Sequence, residues 1–351
     1  MAEENQTTHK RRVRYSGKYP KKFEEKYKEL QPEKYKDTIE HVIKKGNTPA
    51  GMHISIMVNE ILDFLKIQPG ETGFDATLGY GGHTKAMLQC LNGQGHIYAT
   101  DVDPEESART RKRLEEAGFG EDILTIRLQN FCTIDEIAKE AGGFDFIIAD
   151  LGVSSMQIDN PKRGFSFKVD GPLDLRLNQE AGISAAERLA AITKDELAGM
   201  LYENSDEPYC EELAKAITDE IRKGNRIDTT TKLRNIIEKT LDFLPEKEKK
   251  DTIKKTCQRT FQALRIDVNR EFEVLYEFME KLPAALKPGG RAAILTFHSG
   301  EDKLVKKALK EGYRAGIYAD YAKDVIRPSA QECAQNGRAR STKMRWAIKA
   351  E

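Results

Sequence analysis

The sequence predicts an α/β protein with a mostly parallel, doubly wound, Rossmann-like sheet, interrupted by an all-helical insertion. Three observations carry this reading. Residues 74–84, Phe-Asp-Ala-Thr-Leu-Gly-Tyr-Gly-Gly-His-Thr, follow an extended run and open a helical one, as a glycine turn between strand and helix does. Asp101 closes the next extended run 20 residues past Gly81, the spacing of a carboxylate that binds a ribose. Residues 144–150 are apolar almost throughout, as in a strand buried on both faces of a parallel sheet, and end on Asp150.

The elements follow in order. Asn47-Thr48-Pro49-Ala50-Gly51 breaks the pattern, so the folded body is expected to begin near Met52. Ile56, Ile61, Leu62 and Leu65 make a helical stripe ended by Pro69-Gly70. Strand 71–76, the glycine turn, helix 85–91 and strand 96–101 come next. Asp103-Pro104-Glu105-Glu106 reads as a helix start, with a capping acid, proline at the first position and acids in the first turn. Asp103 is thereby a cap and Asp101 is free for a ribose. Strand 123–128 leads to Phe131, which either lies against an adenine or serves the core. After strand 144–150, Asp150 and the residues behind it should face the substrate, because chemistry in such sheets lies at the carboxyl ends of the strands.

From 161 to 259 the pattern is irregular and then helical, over 185–191, 195–202, 211–223, 230–241 and 247–255, with no strand between. This reads as an insertion that roofs the pocket. The α/β pattern resumes at 260. Phe261, Leu264, Val268, Phe272 and Leu275 make one helical stripe, Pro288-Gly289-Gly290 a turn, and 291–297 a fifth strand ending in His298-Ser299. A last strand covers 346–349. The expected organisation is a basic extension over 1–50, a core of 51–160 and 260–351, and the insertion over 161–259.

The pocket's occupant is narrowed by one residue. A dinucleotide fingerprint would need glycine at 84, where the chain has Thr84, so a ribose-bearing cofactor without a pyrophosphate fits better, and S-adenosylmethionine is the obvious one. Composition narrows the setting. No apolar run approaches ~18 residues and the N-terminus is polar and charged, so neither a membrane span nor a secretory signal is expected, and the reading is a cytoplasmic protein. The 5 cysteines contain no C-x-x-C pair, which suggests ordinary thiols and no metal site. The 57 basic and 57 acidic residues cancel, but residues 10–36 hold 11 Lys or Arg against 4 Glu. With Tyr15, Tyr19, Phe23, Tyr27 and Tyr35 interleaved, this arm suits either a nucleic-acid backbone or plain solvent. Residues 338–345 hold a second basic cluster.

Together these residues resemble the ribosomal RNA small subunit methyltransferase H family, also called the MraW family. The resemblance covers residues 53–351 and rests on motifs matching in order: His53 with Asn59-Glu60; residues 75–83; Asp101-Val-Asp-Pro104; Asp150-Leu-Gly-Val-Ser-Ser155 with Gln157 and Asp159; Arg163-Gly-Phe-Ser-Phe167; Asp170-Gly-Pro-Leu-Asp174; residues 260–266 with Asn269; Phe297-His-Ser299 with Glu301-Asp302; and Arg338-Ala-Arg-Ser341. The resemblance implies a class I S-adenosylmethionine-dependent methyltransferase core that methylates the exocyclic N4 of cytidine 1402 in 16S ribosomal RNA, with the small ribosomal subunit as partner. It places the cofactor on Gly81, Gly82, His83, Asp101, Phe131, Asp150 and Gln157. Departures from the family pattern gather in the substrate half: Gly300 stands where the family has Leu, and 202–205, 256–258 and Asn336-Gly337 also differ. The basic extension is additional. A methyltransferase acting on another ribosomal RNA nucleotide therefore stays open, as does a homodimer.

A cytosine amino nitrogen is a poor nucleophile, so the enzyme must hold it in line with the methyl group and accept a hydrogen bond or proton from it. Asp174, Asn269 and His298 are the acceptor or base candidates, each with a structural role as the alternative. No metal is needed. Two rivals share parts of the pattern: an NAD-dependent oxidoreductase, against which Thr84 argues, and a catalytically silent RNA-binding protein.

Overall fold

A computed structural model describes residues 55–351. The basic extension, the boundary at 47–51 and His53 lie outside the described residues. Seven strands form one sheet in the order β3-β2-β1-β4-β5-β7-β6. They are β1 (Thr72–Asp75), β2 (His96–Asp101), β3 (Leu124–Leu128), β4 (Phe144–Asp150), β5 (Leu286–Thr296), β6 (Tyr318–Tyr321) and β7 (Lys343–Lys349). The first five pair in parallel, and β7 runs antiparallel to both β5 and β6. The chain winds outward from β1 to β3 and returns to β4 on the other flank of β1, so the strand order reverses between β1 and β4. A crevice opens at such a reversal, outside the carboxyl ends of the strands.

Alternation along the strands assigns the two faces. Phe74, Ile147 and Ile294 point into one buried cluster, together with residues of α4 (Ile134–Ala141), α11 (Glu271–Ala285) and α12 (Ser299–Arg314). Phe146, Ile148, Ala293 and Leu295 point into the other, with α1 (Val58–Leu65), α2 (Gly82–Leu91) and α3 (Pro104–Glu116). β4 thus buries both faces, as its continuous apolar run requires.

Between β4 and β5 the chain forms α5 (Ser155–Asp159), α6 (Ala185–Ala191), α7 (Lys194–Ser205), α8 (Cys210–Arg222), α9 (Thr230–Thr240) and α10 (Glu246–Asn269). α6 to α10 bury a third cluster of their own, with Leu197, Leu213, Leu233 and Leu264 at its centre. Ser184 with Glu187 and Thr193 with Glu196 form capping boxes that fix where α6 and α7 begin.

Three sequence expectations change. The break expected between 255 and 260 is absent: α10 runs unbroken for 24 residues, and the border drawn at 259/260 falls within it. Thr256, Cys257 and Thr260 are small enough to be buried there against the other helices. The single stripe drawn from Phe261 to Leu275 is instead divided by Arg270, whose left-handed φ of 51° ends α10 and starts α11. Residues 288–290 do not leave the sheet. They belong to β5, opposite a register shift between Phe144 and Phe146, and Gly289 takes φ 70° to accommodate it.

Candidate functional site

The carboxyl ends of β1, β2 and β4 converge on a cavity of about 360 Å³, within the range of small-ligand sites. Its floor is the turn after β1. Gly79 and Gly81 both hold positive φ, and Gly81 precedes α2. A Cβ on Gly81 would fall 2.6 Å from Thr110 Cγ2, and one on Gly82 1.9 Å from Ser55 Oγ, so neither position admits a side chain without displacing its neighbour.

Asp101 stands at one wall. Its Oδ2 accepts from Gly79 N–H at 2.8 Å and its Oδ1 from Asp103 N–H at 2.9 Å, which fixes the carboxylate while leaving lone pairs for a ligand. Burial pushes its carboxyl up to about 6, against the pull of those two donors. Asp103 caps α3 as expected, accepting from the Glu105 and Glu106 amides. It does more: Gln157 Nε2 and a guanidinium nitrogen of Arg163 both donate to its Oδ2.

Asp150 ends β4, with its own N–H donated to Thr77 Oγ1 at 2.7 Å. His83 Nδ1 lies 3.6 Å from Asp150 Oδ2, and His83 Nε2 lies 2.9 Å from the Ile56 carbonyl. A carbonyl only accepts, so Nε2 carries the proton and Nδ1 of a neutral ring carries a lone pair. Burial pushes the Asp150 carboxyl up to about 6; His83 opposes this, and Asp75 and Glu301 add to it.

The seven residues that resemblance places on the cofactor, Gly81, Gly82, His83, Asp101, Phe131, Asp150 and Gln157, all line this cavity. Phe131 stands edge-on to Phe278 at 5.2 Å. The amide of Gln157 is engaged at both ends, its Oε1 accepting from Ser154 N–H and its Nε2 donating to Asp103.

The three acceptor candidates separate. Asp174 does not line the cavity; Arg176 Nε and a second guanidinium nitrogen grip its carboxylate at 2.9 and 2.8 Å. Burial would raise its carboxyl, yet Arg176 holds it below the usual range. Asn269 lines the cavity but spends its amide on the chain: it donates to the Leu175 and Arg265 carbonyls and accepts from Leu177 N–H. Those bonds hold Leu175 at φ 64°, a conformation that a bulky residue adopts only when its surroundings impose it. His298 lines the cavity through its ring, with both nitrogens enclosed and Nε2 3.2 Å from Glu301 Oε1.

Sequence reasoning did not foresee the ion pairs on the helical side. Arg265 and Glu271 pair through two contacts of 2.8 Å beside Asn269, and no periodic pattern signals a pair bridging two helices across Arg270. Glu301 lies three residues after His298, the spacing of a capping box, which could have found it. Burial works to raise the Glu301 carboxyl, but His298, Arg265 and the Phe297 amide hold it below its ordinary value. Glu271, His298 and Glu301 bring one ligand atom each within 4.8 Å of one another.

The donors suit S-adenosylmethionine. Asp101 offers free lone pairs to a ribose diol, Phe131 a ring face, and the volume matches a nucleoside with an amino-acid tail. No group in the cavity neutralises a pyrophosphate at the glycine turn, where Thr84 donates instead to buried Asp75 at 2.6 Å.

Known proteins agree with this geometry. The model of the MraW methylase family matches residues 50–350. Ribosomal RNA small subunit methyltransferase H 1 of Agathobacter rectalis is 86% identical over 351 residues, spanning 100% of both chains. Ribosomal RNA small subunit methyltransferase H 2 of Alkaliphilus metalliredigens is 64% identical over 340 residues, 97% of each chain. Ribosomal RNA small subunit methyltransferase H of Koribacter versatilis is 36% identical over 302 residues, covering 85% of this chain and 94% of its own. With glycine turn, ribose acid and strand-end acid gathered in one crevice, and with a match along nearly the whole chain, this protein belongs to the MraW methylase family.

Proposed function

We propose that this protein transfers a methyl group from S-adenosylmethionine to the exocyclic N4 of a cytidine in 16S ribosomal RNA, position 1402, with the small ribosomal subunit as its substrate particle. The observation that carries this reading is a single cavity shared by two sets of residues. The glycine turn, Asp101 and Asp150 line it from the sheet, and Leu177, Gln262 and Arg265 line it from the helical segment. Donor and acceptor can therefore meet in one space. S-adenosylmethionine bound there supplies an electrophilic methyl group. Asp101 holds the ribose, Phe131 flanks the base, and the helical side encloses the incoming nucleotide and excludes water.

A cytoplasmic setting suits a ribosomal substrate, and among the described residues no helix is long and apolar enough to cross a membrane. The family resemblance extends to a homodimer.

A second reading, methylation of another ribosomal RNA nucleotide, has one observation in its favour. A Cβ at Gly300 would fall 2.6 Å from the Phe272 ring, so the wall behind His298 is shaped by Phe272 where the family has a leucine. Mass-spectrometric mapping of ribosomal RNA methyl groups with and without the gene tests both. Loss of N4-methylation at cytidine 1402 supports the first; loss at a different nucleotide supports the second; an unchanged map removes both.

A further inference from the structure

We propose that Asp150, besides facing the cofactor, accepts the proton released from the target amine. The inference rests on the methyl-transfer reading above and names the residue that completes it.

Geometry singles Asp150 out among the acceptors at this cavity. Asp174 is clamped by Arg176, Asn269 has its amide engaged by three backbone groups, and both nitrogens of His298 are enclosed. Asp150 differs. Its main chain is fixed on both sides, by Thr77 Oγ1 at 2.7 Å and by Leu151 N–H donating to the Leu295 carbonyl at 3.2 Å. Its Oδ1 is buried without a hydrogen-bond partner, while the side chain keeps 25% of its surface open. A buried acceptor left without a donor is costly, and natural structures keep such atoms where function uses them. Three titratable groups face it: Asp75 from β1, His83 from α2 and Glu301 from α12.

The step balances. The amine nitrogen forms a bond to the methyl carbon as the sulfur–carbon bond breaks, and that bond's electron pair stays on sulfur. The nitrogen then bears a positive charge and an acidic proton. That proton passes to Asp150 Oδ2, and the N–H electron pair returns to nitrogen, restoring its conjugation with the ring. His83 can relay it onward, because Nε2 is committed as a donor to Ile56 and Nδ1 offers a lone pair 3.6 Å from Oδ2. An acid pushed up by burial is a better proton acceptor near neutral pH than an ordinary surface aspartate.

The test uses the full chain with Asp150→Asn and Asp150→Glu. S-adenosylhomocysteine affinity is measured by calorimetry, which needs no turnover, and single-turnover methyl transfer is measured at saturating S-adenosylmethionine on small-subunit particles lacking the modification. The expected result for Asp150→Asn is little change in affinity with a rate at least about 100-fold lower. The wild-type rate should fall on the acid side, and Asp150→Glu should recover part of the rate. Weakened binding with an unchanged saturated rate would make Asp150 a cofactor ligand only and overturn the proposal, and so would equal losses in the Asn and Glu variants. If Asp150→Asn does not fold, the acid limb of the wild-type rate and the Glu variant still decide. A wild-type protein that methylates no cytidine sinks the underlying reading; an active wild type with an equally active Asn variant sinks this one alone.

Discussion

Arg163 donates to Asp103 in an ion pair buried on both sides, joining residues 60 positions apart in the chain. The same guanidinium donates to the Leu177 carbonyl at 2.8 Å. The loop that carries the ribose acid is thus tied to the segment lining the substrate side. Asp103 would have been only a helix cap had the sequence been the whole account.

Arg163→Met should therefore destabilise the fold by about 3–5 kcal/mol, because it leaves Asp103 buried without its cation. Asp103→Ala should cost more than the ~1 kcal/mol of a lost cap, since it also orphans Arg163. Denaturant unfolding of each variant measures this; midpoints within error of wild type would show the pair to be energetically idle.

Asp101→Ala should weaken S-adenosylmethionine binding by ~1.5–3 kcal/mol, the net value of a hydrogen bond to a charged acceptor. Calorimetry on the folded variant reads it directly, and unchanged affinity would remove Asp101 from the ribose contact.

The acids of the cavity give a pH dependence whose sign follows from burial. Asp101 is pushed up to about 6 and binds a ribose best as the anion, so affinity should fall as pH drops through about 6, and Asp101→Asn should flatten that dependence. Folding stability runs the other way. The raised group holds its proton in the folded state to higher pH than in the unfolded chain, so its favourable contribution is complete below about 4 and is lost as pH rises through about 6. Unfolding titrations of wild type and Asp101→Asn should diverge within that window and nowhere else.

Asn269→Ala removes three hydrogen bonds and the restraint on Leu175, so it should cost about 2–4 kcal/mol of stability. Because the affected segment lines the helical side, transfer to RNA should suffer more than cofactor binding. Equal losses in both would separate Asn269 from substrate placement.

Deleting residues 1–46 removes 11 Lys or Arg and the 4 Glu among them within 10–36, along with none of the cavity residues. S-adenosylmethionine affinity should persist, RNA affinity should fall, and log affinity against log salt should become shallower, as fewer counterions are released. Identical slopes for both proteins would leave the arm no electrostatic part in substrate binding.

The strand-end acids were legible because a buried parallel strand announces itself as an apolar run, and Asp101 and Asp150 each stop one. The glycine turn was legible for a similar local reason. What escaped depends on distance or on sparse signal. Arg163 meets Asp103, and Arg265 meets Glu271, by folding and not by spacing. α10 looked broken because Thr256 and Thr260 are polar, yet both are buried and the helix is continuous. β6 was missed since only Tyr318 of its four residues is buried. Asp174 carried a motif's weight in the sequence, and its partner Arg176, two residues on, shows what that carboxylate is spent on.

The place of β7 bears on how the chain matures during synthesis. β5 pairs with β7 along six consecutive residues, from Arg291 against Ile348 to Thr296 against Lys343. β7 is the last strand made, and β6 has no neighbour in the sheet besides it. Until β7 emerges, the flank of β5 exposes a row of unpaired amides and carbonyls, an adhesive edge open to other nascent chains. The pair of Asp302 with Arg345 and Lys343 also has to wait for that strand. Premature termination anywhere before 343 should therefore yield an aggregating product and not a slightly shorter enzyme, which makes this gene intolerant of late nonsense mutations.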